Sequence, residues 1–453
     1  MEYRFAGSSN LVFQNNLVNG RIRRRDGAPI ATQSNNLERV ESSWFRDLAQ
    51  GDLRLASAAT PAIDAGHGLA GFHDDVDGQP RPQGSDWDIG ASEFSGATSP
   101  SAAPVTSGDR TLIGVNYFAG WWQPLPNKWN YDPAVGDWRT NYPGRVPLLG
   151  EYNTQETMDR EIVAAADYGI DFFLILWYYN GPGDSVERET HSRFLNEGLR
   201  TFTRSPEAHR LGFAIEYCNH PPYEVKTGRD WEDCLHAWLP AFRHPSYLRV
   251  GGRLLFKVHS WHNFWRENGE NSDSCRSRLA ALRQRVREAG LGELLIGCGV
   301  AANERVEAGH PATQFFEFTS TYMDLPNRPR RDADEPYAVL ARFIRESRDQ
   351  HARDAVPYLP FLGAGFNARP WPDSRACFAF PTHEEWMLEL RRLQADFDRI
   401  GTLGLPLPGG GRQKAFTIYA WNEFGEGGIV APTNGEGAMK LETITKIFGR
   451  TPR

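Results

Sequence analysis

The chain has 453 residues, 40% apolar and 12% aromatic, enough to bury a large core and by length alone to form two or three domains. Its net charge of −7 comes from interspersed signs; the one basic run, "RIRRRDG", reads as solvated surface, so no nucleic-acid partner is expected. The five cysteines are widely spaced without a CxxC, no stretch reaches the roughly 18 apolar residues of a membrane span, and "MEYRFAGSSN" lacks the regions of a signal peptide, so no disulfide framework, zinc site, membrane span or export signal is indicated.

The first hundred residues alternate short apolar runs with Asn, Gly and Asp turns, as in "NLVFQNNLVNG" and "ATQSNNLERVES". They hold no segment of helical period and length, so short strands stacked in coils are expected. "DDVDGQ", with Asp75 and Asp77 before Gly78, starts like a calcium loop but lacks the remaining ligands; a turn is expected there, and no metal. "LRLASAATPAIDAG" and "DVDGQPRPQGSDWDIGASEF" resemble the closing motif of surface proteins labelled choice-of-anchor Q. That resemblance covers residues 1 to about 95. It implies the C-terminal coils and cap of a right-handed parallel β-helix, upstream coils missing from this chain, and an extracellular or cell-envelope location. Uncharged "SGATSPSAAPVTSG" follows, with the composition of a flexible tether, and a linker is placed at 96–108.

From residue 109 the texture changes to eight apolar runs: 111–118, 171–179, 211–217, 253–260, 293–300, 315–322, 356–362 and 414–421. Helical patterns lie between them, such as "TQETMDREIVAAADYG", "CRSRLAALRQRVREAG", "EPYAVLARFIRESRDQHA" and "THEEWMLELRRLQADFDRIG", several with a Thr or Ser start and a Gly stop. Nearly continuous apolar strands alternating with helices predict a parallel sheet with covered faces. Eight repeats fit a (β/α)₈ TIM barrel over 109–453 better than an open sheet.

Function in such a barrel sits at the C-terminal strand ends. The first strand ends at Tyr117, with Trp121 and Trp122 beyond it. The second delivers Trp177, Tyr178, Tyr179 and Asn180, the third Glu216, Tyr217, Asn219 and His220, the fourth His259 and Trp261. Tyr322 and Asp324 follow the sixth, Asn367, Arg369 and Trp371 the seventh, and Trp421, Asn422, Glu423 and Glu426 the eighth. A sugar stacks its C–H face on an indole and needs donors and acceptors for its hydroxyls, so aromatics beside carboxylates and amides point to carbohydrate, with packing residues capping the barrel as the plainer reading of each tryptophan.

The eighth strand runs into "YAWNEFGEGG". Glu423 and Glu426 stand three apart, which on a continuing strand places them on opposite faces, so one cavity receives both only if the backbone turns. Gly425 is expected to permit that turn, with Gly427 and Gly428 letting the loop approach a ligand. Two carboxylates in one partly dry pocket do not both ionise easily; one pKa should rise, giving an acid and a base as glycoside cleavage requires. The alternative is a solvated loop with two surface glutamates.

"IGVNYFAGWW", "PLLGEYNTQETMDREIVAAADYGIDFFLILWYY", "HPSYLRVGGRLLFKV" and above all "WNEFGEGG" resemble the barrel of glycoside hydrolase family 99 and its WbsX-type relatives. "WNEFGEGG" is similar to the family's "NEWHEG", whose glutamates are its catalytic pair. The resemblance implies an endo-α-mannosidase-like enzyme that retains configuration through a 1,2-anhydro sugar, without metal or organic cofactor. It also implies roles: Glu423 takes the proton of the 2-hydroxyl, Glu426 is general acid and then base, and Asn422 orients Glu423 or a hydroxyl. Phe424 and Gly425 depart from the family's Trp and His, which bears on the identity of the sugar. Glu216 is open to reading as a substrate contact, a rival acid or a buried structural carboxylate. The remaining expected substrate contacts are Trp421, Tyr217, Tyr117, Trp121, Trp122, Trp177, Tyr178, His259, Tyr322 and Trp371. The expected partner is an oligosaccharide or polysaccharide, met by a monomer. A non-hydrolytic glycan-binding module of a surface protein and a glycan-processing protein of a polysaccharide cluster are the competing functions; the latter's nucleotide-sugar donor has no Gly-rich phosphate loop to hold it.

Overall fold

The apolar runs beyond residue 109 form strands, all of them parallel. In the computed structural model they are β1 (Leu112–Tyr117), β2 (Phe172–Trp177), β3 (Gly212–Tyr217), β4 (Arg253–Val258), β5 (Leu294–Gly299), β6 (Phe318–Ser320), β7 (Tyr358–Leu359 and Phe361–Gly363) and β8 (Ala415–Tyr419). Neighbours pair in chain order from β1 to β7, and β8 pairs with β1 on one side and the second half of β7 on the other, so the sheet closes. Pro360, which has no N–H to give a ladder, splits β7 where its pairing changes from β6 to β8. Every strand residue except Gly212 and Arg253 is buried, as a sheet covered on both faces requires. The product is a (β/α)₈ barrel.

The structure describes residues 2–4, 6–7, 9–48, 52–56, 59, 61–69, 72–76, 79–94, 110–130, 136–179, 181 and 194–450. The linker read at 96–108, Asp77 and Gly78 of the calcium-like turn, and Asn180 of the second strand end lie outside them. The chain divides into two compact units, Met1–Ser101 and Ala102–Arg453.

Among the described residues of the second unit the helices are α1 (Gln155–Asp167), α2 (Glu197–Arg204), α3 (Gly228–Arg243), α4 (Trp261–Glu267), α5 (Ser272–Glu288), α6 (Tyr337–His351) and α7 (His383–Arg399) between strands, and α8 (Met439–Phe448) after β8. α1, α5, α6 and α7 are the four patterns quoted above. Thr154 caps α1 and Thr382 with Glu385 forms a capping box on α7, the start signals visible in the sequence. The sixth strand is shorter than the run 315–322, because Phe315 ends a 3₁₀ turn at Pro311–Gln314. Among the described residues no helix is long and apolar enough to cross a membrane.

In the first unit, Glu2–Tyr3 pairs in parallel with Arg23–Arg24, Val12–Gln14 with Thr32–Ser34, and Leu17–Val18 with Leu37–Glu38. Asn16 and Asn36 stack at equivalent positions, the Asn16 amide donating to Asn36 Oδ1 at 2.8 Å. Asn15 and Asn35 both take left-handed φ, as the Asn-rich turns suggest. In the closing motif Arg81 and Glu93 form a buried ion pair at 2.7 Å, and Asp75 accepts from the N–H groups of Gln79 and Glu93, acting as a turn residue.

Candidate active site

Beyond β8 the peptide between Tyr419 and Ala420 is cis, and the chain then doubles back as a short hairpin, Asn422–Glu423 pairing antiparallel with Gly428–Ile429. The turn between them is closed by the Glu423 carbonyl, which accepts from the N–H groups of Glu426 and Gly427 at 3.1 and 2.8 Å. Gly427 supplies the left-handed φ, +78°, that this turn needs. The backbone thus turns between the two glutamates, over Phe424 and Gly425, and the left-handed residue stands just beyond them at Gly427. Gly425 is small for another reason: an added Cβ would lie 2.2 Å from Cζ2 of the Trp371 indole, which packs on the backbone between the two glutamates. Gly425→Ala is expected to displace Trp371, to lower stability by about 1–3 kcal/mol in a urea titration, and to quench or shift indole fluorescence.

The hairpin brings the two carboxylates onto one pair of tyrosines. Tyr322 OH donates to Glu423 Oε1 at 2.7 Å and Tyr419 OH donates to Glu426 Oε2, while the two rings meet edge to face with centroids 5.1 Å apart. Their environments differ. Glu423 is 6% exposed, and burial followed by the charge of Glu426 pushes its pKa from 4.5 up to about 8. Glu426 keeps some exposure and is ion-paired with Arg375 at 2.7 Å; Arg375 is fixed in turn by Asp373 and by the face of Phe366. Burial and the carboxylates raise both tyrosine hydroxyls well above their ordinary value, so they remain donors. Burial thus favours the protonated form of Glu423.

A second charged group underlies the neighbouring strand ends. Glu216 is fully buried and accepts from Lys257 Nζ at 2.8 Å, from His259 Nδ1 at 2.7 Å and from Asn116 Nδ2 at 3.1 Å. Burial alone would raise its pKa, but the Lys257 charge and the His259 contacts outweigh that and hold it below the usual carboxylate value. Both oxygens of Glu216 are taken and it has no exposed surface, which places it as an anchor for His259, neither a substrate contact nor a rival acid. The His259 ring stays partly exposed and meets Tyr322 at 5.0 Å, which joins this group to the acid pair.

The other expected contacts divide by depth. Trp371, Tyr322 and His259 keep exposed surface beside the pair. Tyr178 is buried, but Glu423 is among the charges acting on its hydroxyl, and it edges against His220 and Tyr223. Tyr117, Tyr217, Trp121, Trp122, Trp177 and Trp421 are packing residues beneath the rim, contrary to expectation. Trp421 Nε1 and Tyr117 OH both donate to buried Glu161, Tyr217 OH donates to Glu267, Trp177 packs on Trp238, and Trp122 stacks on Phe194 and donates to the Pro126 carbonyl. Trp121 donates to the carbonyl of Asn422. Asn422 itself pins the hairpin to the end of β1 by exchanging hydrogen bonds with the backbone of Phe118, so it does not orient Glu423 through its side chain.

Sequence reasoning missed Arg375, Lys257 and the tyrosine role of Tyr419. Lys257 was signalled by a lone charge inside the apolar run "RLLFKVHS", and Tyr419 stood in the quoted stretch as a strand residue; nothing in "PDSRACF" marks Arg375.

No family model matches this sequence, and no curated protein matches it. Solved structures do. A glycoside hydrolase-like protein superposes with a TM-score of 0.51 at 15% identity, covering 76% of this chain and 95% of its own, which shows a shared fold. The GH99 endo-alpha-mannosidase from Bacteroides thetaiotaomicron gives 0.46 at 13% identity over 75% and 97%, and a GH5-4 broad specificity endoglucanase from Ruminococcus champanellensis 0.41 at 12% over 74% and 95%.

Proposed function

We propose that this chain is a glycoside hydrolase that cuts an α-linked glycan, with Glu423 and Glu426 as its acid and base. The observation that carries the reading is the contrast between two carboxylates on one hairpin: Glu423 dry and raised to about 8, Glu426 more exposed and paired with Arg375. Glu423, protonated near neutrality, is then the general acid to the leaving oxygen, and Glu426 takes the proton of the attacking oxygen. This reverses the order that the resemblance to family 99 implies, because burial and ion pairing, not position in the motif, decide which carboxyl holds the proton. The finer reading is endo-cleavage beside a mannose with retention, the attacking oxygen of the first step being the sugar's own 2-hydroxyl; "WNEFGEGG" supports it. Trp371 offers the stacking face, and His259 with Tyr322 the polar contacts.

The test is hydrolysis of α-mannan oligosaccharides, with product configuration followed by NMR. Glu426→Gln and Glu423→Gln are each expected to lose at least about 10³-fold in turnover. On a substrate whose activated leaving group needs no proton, Glu423→Gln recovers and Glu426→Gln does not. Recovery of Glu426→Gln instead would reinstate the order implied by the resemblance, and undiminished turnover by both would remove the pair from the reaction. Saturable binding without product from any glycan would leave the rim a binding surface.

For residues 1–95 we propose the closing coils of a right-handed parallel β-helix and, with them, an extracellular or cell-envelope location. Parallel ladders about 20 residues apart and the Arg81–Glu93 pair support it. Antibody labelling of intact against permeabilised cells tests the location.

A further inference from the structure

Arg145 ends a 3₁₀ turn, Pro143–Arg145, in the loop after β1 and is 5% exposed. Its four hydrogen bonds all go to neutral oxygens: the carbonyls of Asn367 at 2.7 Å, Gly425 at 3.3 Å and Phe424 at 3.4 Å, and Asn367 Oδ1 at 2.8 Å. The guanidinium lies against the rings of Tyr142 and Phe380, 4.9 and 5.2 Å from their centroids. Burial lowers its pKa to about 10, which leaves it charged at neutral pH. Among the described residues no carboxylate forms an ion pair with it. The Asp334 carboxylate acts on it from a distance but is ion-paired with Arg369, and a buried cation without an ion-pair partner of its own is costly.

Beside Arg145 is a cavity of about 410 Å³, whose wall also carries Asp334, Arg369 and Glu436. The two carboxylates are already matched, Asp334 with Arg369 at 2.6 Å and Glu436 with Lys440, which stands behind the wall. Three cations (Arg145, Arg369, Lys440) face two carboxylates (Asp334, Glu436), and the surplus positive charge is that of Arg145. The volume lies in the range of small-molecule sites, 300 to 1,000 Å³ as a rough guide, and accommodates a sugar ring. The cavity also adjoins the acid hairpin: Arg145 holds the carbonyls of the two residues between Glu423 and Glu426, and Asn367 N–H donates to the Glu426 carbonyl at 2.6 Å.

We propose that this cavity is a subsite for an anionic unit of the glycan, a uronate carboxylate or a sulfate ester, received by Arg145. The assignment to a unit of the glycan rests on the hydrolase reading; the binding of the anion does not. Nη1 already donates to backbone carbonyls and Nη2 to Asn367 Oδ1, so the anion would be held by the charge of the guanidinium in the cavity wall, and its own charge would neutralise the surplus cation.

The experiment is calorimetric titration of the full chain with D-glucuronate, inorganic sulfate and methyl α-D-mannoside. Glucuronate, sulfate or both are expected to bind, the stronger of the two naming the source of the charge. Arg145→Gln is expected to weaken that binding by at least about tenfold. Glu436→Gln keeps an amide oxygen for Lys440 but removes a negative charge, and should tighten anion binding about threefold to tenfold; a variant that merely fails to fold cannot bind more tightly. Binding of the neutral mannoside equal to that of the anions, or a Glu436→Gln variant no tighter than the parent, would overturn the proposal. None of these readouts needs a bond to be cut, so the anion site can stand while the hydrolase reading fails, and the reverse.

Discussion

Glu423→Gln is expected to abolish turnover and, above about pH 7, to make the protein more stable. The loss of activity, at least about 10³-fold, follows from removing the proposed proton donor. The gain in stability follows from burial. In the fold, desolvation and then the neighbouring Glu426 raise the Glu423 pKa to about 8, against an ordinary value of 4.5. The folded state therefore binds this proton more tightly than the unfolded one. That advantage is complete below about pH 4.5 and is lost as pH rises through about 8, where the native protein must hold a dry carboxylate. Glutamine still accepts from Tyr322 and has nothing to ionise. At pH 9 the variant should be more stable by on the order of 2–4 kcal/mol, and at pH 4 by nothing. Glu161, Asp171 and Glu267 are also raised by burial, to about 7, 7 and 8, but they are present in both proteins and cancel in the difference. Urea midpoints from pH 4 to 9 check this: a gain of equal size at both ends would mean that ionisation of Glu423 is not its source. A site that lowers the stability of its own fold is the pattern expected of carboxylates kept for chemistry.

The barrel was legible because its signal is redundant. Eight apolar runs, start signals such as Thr154 and Thr382, and the need to cover both faces of a parallel sheet all point to one architecture, and a strand as short as Phe318–Ser320 does not change it. The turn that carries Glu423 and Glu426 was legible because glycines and glutamates cluster where the last strand must end. The rim aromatics were read less well. A strand-end residue is assigned to the rim by position, but whether it faces the substrate or the layer below depends on what else reaches it, and Glu161 on α1 and Glu267 on α4 draw Tyr117, Trp421 and Tyr217 downward through contacts 44 to 260 positions away in the chain. The part each glycine plays in the turn was hidden for a similar reason: the chain turns over Gly425, but the left-handed φ belongs to Gly427. Glycine spacing shows where the chain needs room, while whether a given glycine serves φ or serves an indole from another loop is a tertiary fact. Arg375 and Arg145 had no local signal, since a single arginine in a polar loop is ordinary.

Lys257→Met is expected to cost about 3–5 kcal/mol, and the double variant Lys257→Met/Glu216→Gln to recover most of it. Glu216 and Lys257 are register partners on adjacent strands β3 and β4, and both are at most 1% exposed. Their side chains meet at 2.8 Å with no water-facing surface to dilute the charge. Removing the ammonium leaves a carboxylate inside the barrel with only His259 and Asn116 to hold it, and the desolvation that Lys257 outweighs in the native protein then dominates. The sign with pH follows. In the native protein the depressed Glu216 pKa contributes stability that is present above the unfolded value and lost as pH falls through the folded one. In Lys257→Met the Glu216 pKa rises, so the deficit is greatest at high pH and shrinks in acid, where Glu216 takes up a proton. Glutamine at 216 removes the stranded charge and keeps an acceptor for His259, which is why the second substitution should repair the first. Urea midpoints for the two single variants and the double check it. Additive losses would show that the pair is not what Lys257 is there to satisfy. Recovery of stability with turnover still reduced would show that the buried charge pair also positions His259, the partly exposed side chain it supports beside Tyr322.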